Sequence, residues 1–177
     1  MLAFTMAVLA FPLMVLTAIA IWLESGGPVL YCQERVGENG RLFTLCKFRS
    51  MRIDAEQGTP IWAKDHDDRV TRVGRIIRLT RLDELPQIWN VLRGEMSLVG
   101  PRPPLHYEVE HYRPAWFGRF AVKPGLTGLW QVSGRCELSV EEMIALDLEY
   151  VRRRSLWTNV KILARTLPVV FLGRGAA

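Results

Sequence analysis

Arg78-Leu-Thr-Arg-Leu-Asp-Glu-Leu-Pro-Gln87 sets two adjacent carboxylates, Asp83 and Glu84, immediately before a helical pattern. In that pattern Leu85, Ile88, Trp89 and Leu92 recur on one face. Pro86 fits only the first turn of such a helix, where a missing N–H costs little. Gly94 then stops it. The acid pair is thereby predicted at a helix N-terminus, where unpaired N–H groups and the helix dipole favour negative charge. An aspartate there should be ionised at neutral pH, as a carboxylate nucleophile or metal ligand must be. An ordinary helix cap would use the same residue type. The density of arginine around the pair argues for chemistry.

Upstream, arginines fall at 69, 72, 75, 78 and 81. A three-residue step drifts about 60° per arginine on a helix, so the five cannot all face one ligand. One or two are expected at the site, with the others paired or at a membrane surface. Downstream, prolines on both sides of Arg102 in Gly100-Pro-Arg-Pro-Pro104 forbid helix and stiffen its backbone. An arginine so placed suits bidentate capture of a phosphate, although an exposed turn residue would look the same. Lys123 to Arg135 is similar: three glycines permit close approach of backbone to a ligand, and Arg135 ends the run. It is not a Walker-type phosphate loop.

Val29–Val36 and Leu42–Phe48 are rich in β-formers and flank Gly37-Glu-Asn-Gly40, which predicts a hairpin. Lys47 and Arg49 close its second strand, as site cations or as solvated edge charges. Residues 52–68 read as a loop around Gly58-Thr-Pro60. Ser139 with Glu142 predicts a capping box opening a helix to about Arg153. Leu156, Val160, Leu163 and Leu167 make one apolar face of a last helix, ended by Pro168. Its arginines, Lys161 and Trp157 suit a helix lying on a membrane, or else the face is core.

Residues 1–23 carry no charge and are interrupted only by Pro12. A spanning helix, a re-entrant helix broken at Pro12, and a signal peptide with Ala18-Ile19-Ala20 as its cleavage site all compete, in that order on composition alone. The rest of the chain carries the whole +5 formal charge, which favours phosphate-rich partners. Nucleic acid is not expected, since its usual binding signatures are missing. Three widely spaced cysteines indicate neither a disulfide framework nor a zinc site, and suggest a reducing, cytoplasmic setting. His66, His106 and His111 have no metal-ligand spacing.

Taken in order, the Pro-broken apolar start, Lys47-Phe-Arg-Ser-Met51, Leu82-Asp-Glu-Leu-Pro-Gln87, Gly100-Pro-Arg-Pro103 and Pro124 to Arg135 resemble the bacterial sugar transferases. These are the monotopic phosphoglycosyl transferases that begin surface-polysaccharide and glycoconjugate assembly. The last third, with Leu146–Val151 and Ser155-Leu-Trp157, is most similar to the exopolysaccharide and O-antigen-priming branch. The resemblance implies transfer of a sugar-1-phosphate from a UDP-sugar to a polyprenol (undecaprenyl) phosphate, releasing UMP. Asp83 would be the nucleophile, forming a phosphosugar–aspartyl intermediate, and Glu84 would help it hold Mg²⁺. Arg78, Arg102 and Arg135 would lie near phosphate, with Lys47 and Arg49 as further substrate-binding cations.

The implied fold is α+β and mostly helical. It comprises a re-entrant N-terminal membrane helix over 1–23, a small β-hairpin, and interfacial helices around a catalytic domain over 24–177. The location implied is the cytoplasmic face of the bacterial inner membrane, in contact with its lipid. Phe11 departs from the serine usual before the helix-breaking proline. The basic residues usual ahead of the membrane helix are also missing, as expected of a truncated form or the catalytic part of a longer chain. A homo-oligomer is compatible with the sequence, since dimer contacts leave no readable motif. The rival reading is a non-catalytic membrane-surface module that binds anionic lipid, which leaves the acid pair among arginines unexplained.

Overall fold

The computed structural model describes residues 2–55, 67–134 and 138–172. Its first element, α1 (Leu2–Ser25), runs unbroken through Pro12, so the expected break is corrected. Pro12 removes one donor from the ladder, but apolar neighbours of high helical tendency carry the helix across. Met14, Ala18 and Ile21 pack one side of its second half on Phe48, Ile77, Leu82 and Leu85. Two charged residues lock its end. Glu24 accepts the Arg72 and Val73 amides (2.8 and 3.0 Å), a carboxylate on a helix N-terminus. The buried Arg49 donates to Ser25 Oγ and the Gly26 carbonyl.

The hairpin forms as its pattern demands, with β1 (Leu30–Val36) antiparallel to β2 (Leu42–Phe48). Asn39 and Gly40, at φ +54° and +75°, turn the chain between them. Phe43 and Leu45 face inward and join Met96 in a small core. Cys32 and Cys46 stand opposite each other, 4.1 Å apart at Cα, and form a disulfide. The expectation of unpaired cysteines is therefore corrected. Their separation of 14 residues is the span that hairpin register brings face to face.

Thr71 caps α2 (Arg72–Leu79) by accepting the Gly74 amide. A 3₁₀ turn (Leu82–Gln87) then leads into the short α3 (Ile88–Leu92). Pro86 lies inside that turn, not at the start of a regular α-helix, so the predicted helix is corrected to a 3₁₀ entry. Gly94 (φ +78°) ends α3 as expected.

β3 (Ser97–Val99) pairs in parallel with β4 (Gly125–Thr127), a second small sheet that local pattern did not announce. It joins the two proline–glycine motifs. Between them lie α4 (His106–Val109) and a 3₁₀ segment (Pro114–Ala121), and another 3₁₀ turn (Trp130–Val132) follows β4. α5 (Val140–Arg153) opens on the predicted Ser139–Glu142 box. α6 (Leu156–Leu172) continues past Pro168, which corrects its predicted end. Tyr150 and Ile162 from these two helices bury against Val99 and Val122. The Tyr150 hydroxyl donates to the Val99 carbonyl (3.0 Å).

Candidate active site

The site begins where α2 stops. Arg81 adopts φ +61°, a left-handed conformation that costs a non-glycine residue about 1–3 kcal/mol. That reversal drops the next residues under the hairpin. Asp83 is 8% exposed, buried beneath β2. Glu84 stays partly exposed, and Arg81 Nη1 donates to its Oε1 (2.7 Å).

Cations converge on Asp83 from several elements. Strand alternation turns Lys47 inward, where its ammonium lies over the Tyr31 ring, 5.3 Å from the centroid. Lys47, Arg81 and Arg78 all favour the ionised form of Asp83. Burial nevertheless dominates, with the charge of Glu84 acting in the same sense, and Asp83 is raised to about 7 from its usual 3.8. Lost hydration thus opposes the ionisation expected of a helix end, and in the metal-free protein Asp83 is poised at about 7. Lys47 is lowered, first by burial and then by Arg102, so Arg102 is part of the same field.

Among the predicted residues, Asp83, Glu84, Lys47, Arg78 and Arg102 are brought together. Arg78 Nε donates to Ser50 (2.8 Å), which ties the site to the end of β2. Arg49 instead turns its guanidinium to the end of α1, as described above. Arg135 lies outside the described residues, as does His66. Two of the three glycines of the second motif have a use in packing. A Cβ on Gly128 would come within 2.5 Å of the Gly100 carbonyl, and one on Gly125 would strike the Gly100 amide. These two admit backbone to backbone.

Sequence reasoning missed Arg35, Arg119 and Asp147, all buried. Arg35 was findable, since alternation from Tyr31 through Gln33 sets it on the inward face of β1. Arg119, in Phe-Gly-Arg-Phe, carries no local signal; its partner Asp147 comes from α5 (2.5 Å).

Asp83 Oδ1 is buried and has no hydrogen-bond partner among the described residues. Such an orphaned carboxylate oxygen fits a hard cation. Among those residues no three acidic, His or Cys side chains converge on one point. One or two carboxylates with substrate phosphates are the ordinary setting of Mg²⁺.

The raised ionisation of Asp83 has a measurable sign. Between about pH 4 and 7 the folded protein holds a proton here that the unfolded chain has lost. The associated stability is present below pH 4 and disappears as pH rises toward 7. Without metal, thermal stability of wild type relative to Asp83→Asn should therefore fall across that window and level off above it. The comparison cancels Asp147, which burial also raises, to about 6. A difference that stays flat from pH 4 to 8 would mean that Asp83 is not held protonated by the fold.

A family model described as bacterial sugar transferase matches residues 1–173. The chain is 48% identical over 165 residues to the galactosyl transferase CpsE of Streptococcus agalactiae serotype III, covering 86% of this chain and 37% of that one. It is 46% identical over 166 residues to the UDP-glucose:undecaprenyl-phosphate glucose-1-phosphate transferase of Caulobacter vibrioides, covering 89% and 62%. It is 40% identical over 191 residues to the exopolysaccharide production protein ExoY of Rhizobium meliloti, covering 99% and 84%. The chain thus spans well under two thirds of the length of several curated relatives that it matches.

Proposed function

Because the chain belongs to the bacterial sugar transferase family, we propose that it transfers a sugar-1-phosphate from a UDP-sugar to a polyprenol phosphate such as undecaprenyl phosphate. One observation carries the reading: a buried carboxylate, Asp83, sits among Lys47, Arg78 and Arg81. Positive charge so concentrated suits a diphosphate, and the carboxylate suits a nucleophile.

In the first half-reaction an Asp83 oxygen attacks the β-phosphorus of the UDP-sugar. The bond from that phosphorus to the bridging oxygen breaks, and UMP leaves with the oxygen. In the second, a phosphate oxygen of the polyprenol phosphate attacks the aspartyl-linked phosphorus and releases the Asp83 carboxylate. Lys47, Arg78 and Arg102 neutralise charge on the phosphates, and Arg81 orients Glu84. Mg²⁺, held by Asp83 and Glu84, would supply charge neutralisation and keep Asp83 ionised near neutral pH. The test is release of UMP from a panel of UDP-sugars with the polyprenol phosphate and Mg²⁺. A protein that releases no UMP from any of them yet binds anionic vesicles would be a lipid-binding module instead.

The same reading sets the chain on the cytoplasmic face of the inner membrane, with α1 inserted without crossing. α1 is apolar along its length, and Ile76, Leu79, Trp89 and Leu92 beside it are exposed too. Packing of α1 on the domain begins at Met14, so about 18 Å of helix at 1.5 Å per residue stands free ahead of it, against roughly 30 Å of hydrocarbon. The exposed Leu156, Trp157, Val160 and Leu167 of α6 suit the interface. A cysteine at position 2, in a background without the native cysteines, should resist impermeant thiol reagents in sealed cells. Because α1 is continuous through Pro12, Pro12→Leu restores a ladder donor without lengthening the free part of the helix, and should label no more than wild type. Labelling of the Pro12 form in sealed cells would establish a spanning helix.

A further inference from the structure

Four consecutive carbonyls, those of Pro101, Arg102, Pro103 and Pro104, each accept a hydrogen bond from another part of the chain. The Gly125 amide donates to Pro101 (2.9 Å) and the Val36 amide to Pro104 (3.0 Å). Arg119 Nη2 donates to Arg102 (2.8 Å), and Arg35 Nη1 to Pro103 (3.1 Å). Three of these four residues are prolines and have no N–H to give. The segment cannot fix itself by donating, so its position is set by what reaches its oxygens.

Two of those donors are guanidiniums only 6% and 7% exposed. Arg35 is also braced by Gln33 Oε1 (2.8 Å). Arg119 donates to Asp147 Oδ2 (2.5 Å) and to the Tyr112 hydroxyl, with Asp147 fully buried. Burying an ion pair is a poor route to stability, because apolar residues of similar volume commonly do as well or better. Here the pair gains a use that apolar residues could not supply, since the same guanidinium that meets Asp147 also grips the backbone of Arg102.

We propose that Arg119, fixed by Asp147, and Arg35 are positioning residues that hold the Pro101–Pro104 segment from two sides, so that the Arg102 side chain meets substrate phosphate in one orientation. This rests on the phosphate role given to Arg102 above. Neither residue needs to touch substrate, since each acts through a carbonyl of the segment. Lysine at 119 would keep the charge but lose the fork that reaches Asp147, Tyr112 and Arg102 together.

The test is a double-mutant cycle on the full chain with UDP-sugar, reading kcat and KM separately. Arg119→Lys should raise KM for the UDP-sugar and lower kcat/KM by about 10- to 100-fold, the scale of a misplacement near 1 Å. Arg102→Ala should be at least as damaging, and in that background Arg119→Lys should be silent, since the side chain it positions is gone. Losses that multiply in the double variant would overturn positioning while leaving the phosphate role of Arg102 intact. So would wild-type kinetics in Arg119→Lys. Wild-type kinetics in Arg102→Ala would remove the phosphate role, and positioning with it, so the single variants tell the two failures apart. If Arg119→Lys does not give a cooperative melt, Tyr112→Phe removes one brace without touching charge. Its expected loss is about two- to fivefold, again silent beside Arg102→Ala. Full activity in Tyr112→Phe, or the same loss in both backgrounds, would then overturn the proposal.

Discussion

Asp83→Asn should lower turnover by on the order of 10⁴ or more, as for other lost nucleophiles. The substitution keeps the shape of the side chain and removes the attacking charge. It should not weaken folding, because burial disfavours the charged form of Asp83 in the metal-free protein. A near-isosteric neutral group is what the site accommodates. Loss of activity with a melt at or above that of wild type would therefore report on chemistry. Two roles of Asp83, as nucleophile and as metal ligand, predict the same loss of rate, but only the first predicts a covalent adduct. Intact-mass measurement with UDP-sugar and Mg²⁺, without acceptor, should show wild type heavier by one sugar phosphate and the Asn variant unmodified. Full activity in the Asn variant would remove Asp83 from the mechanism.

A large loss of stability is expected at Gly125. A Cβ there would strike the Gly100 amide, sit 2.6 Å from the Gly100 Cα and 2.5 Å from the Thr127 carbonyl. All three are backbone atoms, of β4 and of the residue that follows β3, so none can swing aside as a side-chain tip would. Gly125→Ala should cost about 3 kcal/mol or more, beyond ordinary overpacking, and lower the melting temperature by roughly 6–12 °C for a chain of this size. Gly40→Asn is the matched control. Gly40, unlike Gly125, has a positive φ, but nothing lies within 4 Å of its Cβ position, and asparagine tolerates that backbone. It should melt within a few degrees of wild type. A Gly125→Ala protein as stable as the control would mean that β3 and β4 can separate without consequence.

What was legible in the sequence is what short-range chemistry determines. The hairpin strands, the Ser139 capping box and the Gly94 stop all follow from periodicity or from one residue's backbone preference, and each stands where expected. Where sequence reading went astray, something beyond a single residue's preference decided. Pro12 and Pro168 are tolerated within helices, against their local cost. Cys32 and Cys46 meet only once register is known. The acid pair was found, but its ionisation depends on burial under β2, which local pattern does not report. Arg119 and Asp147 come from different segments and share only the core between them. No spacing rule reaches that far.

The clamped proline segment also has a consequence in time. Synthesis proceeds from the N-terminus, so α1 and the hairpin emerge early and are built from neighbouring residues. The segment bearing Arg102 has no such independence. Its carbonyls wait for Arg119 and Gly125, and Arg119 waits for Asp147 on α5. At roughly 5–20 residues per second, a nascent chain spends several seconds with its carboxylate pair made and Arg102 still unanchored. The Arg102 segment is therefore completed from behind: its lock can close only once α5 has left the exit tunnel.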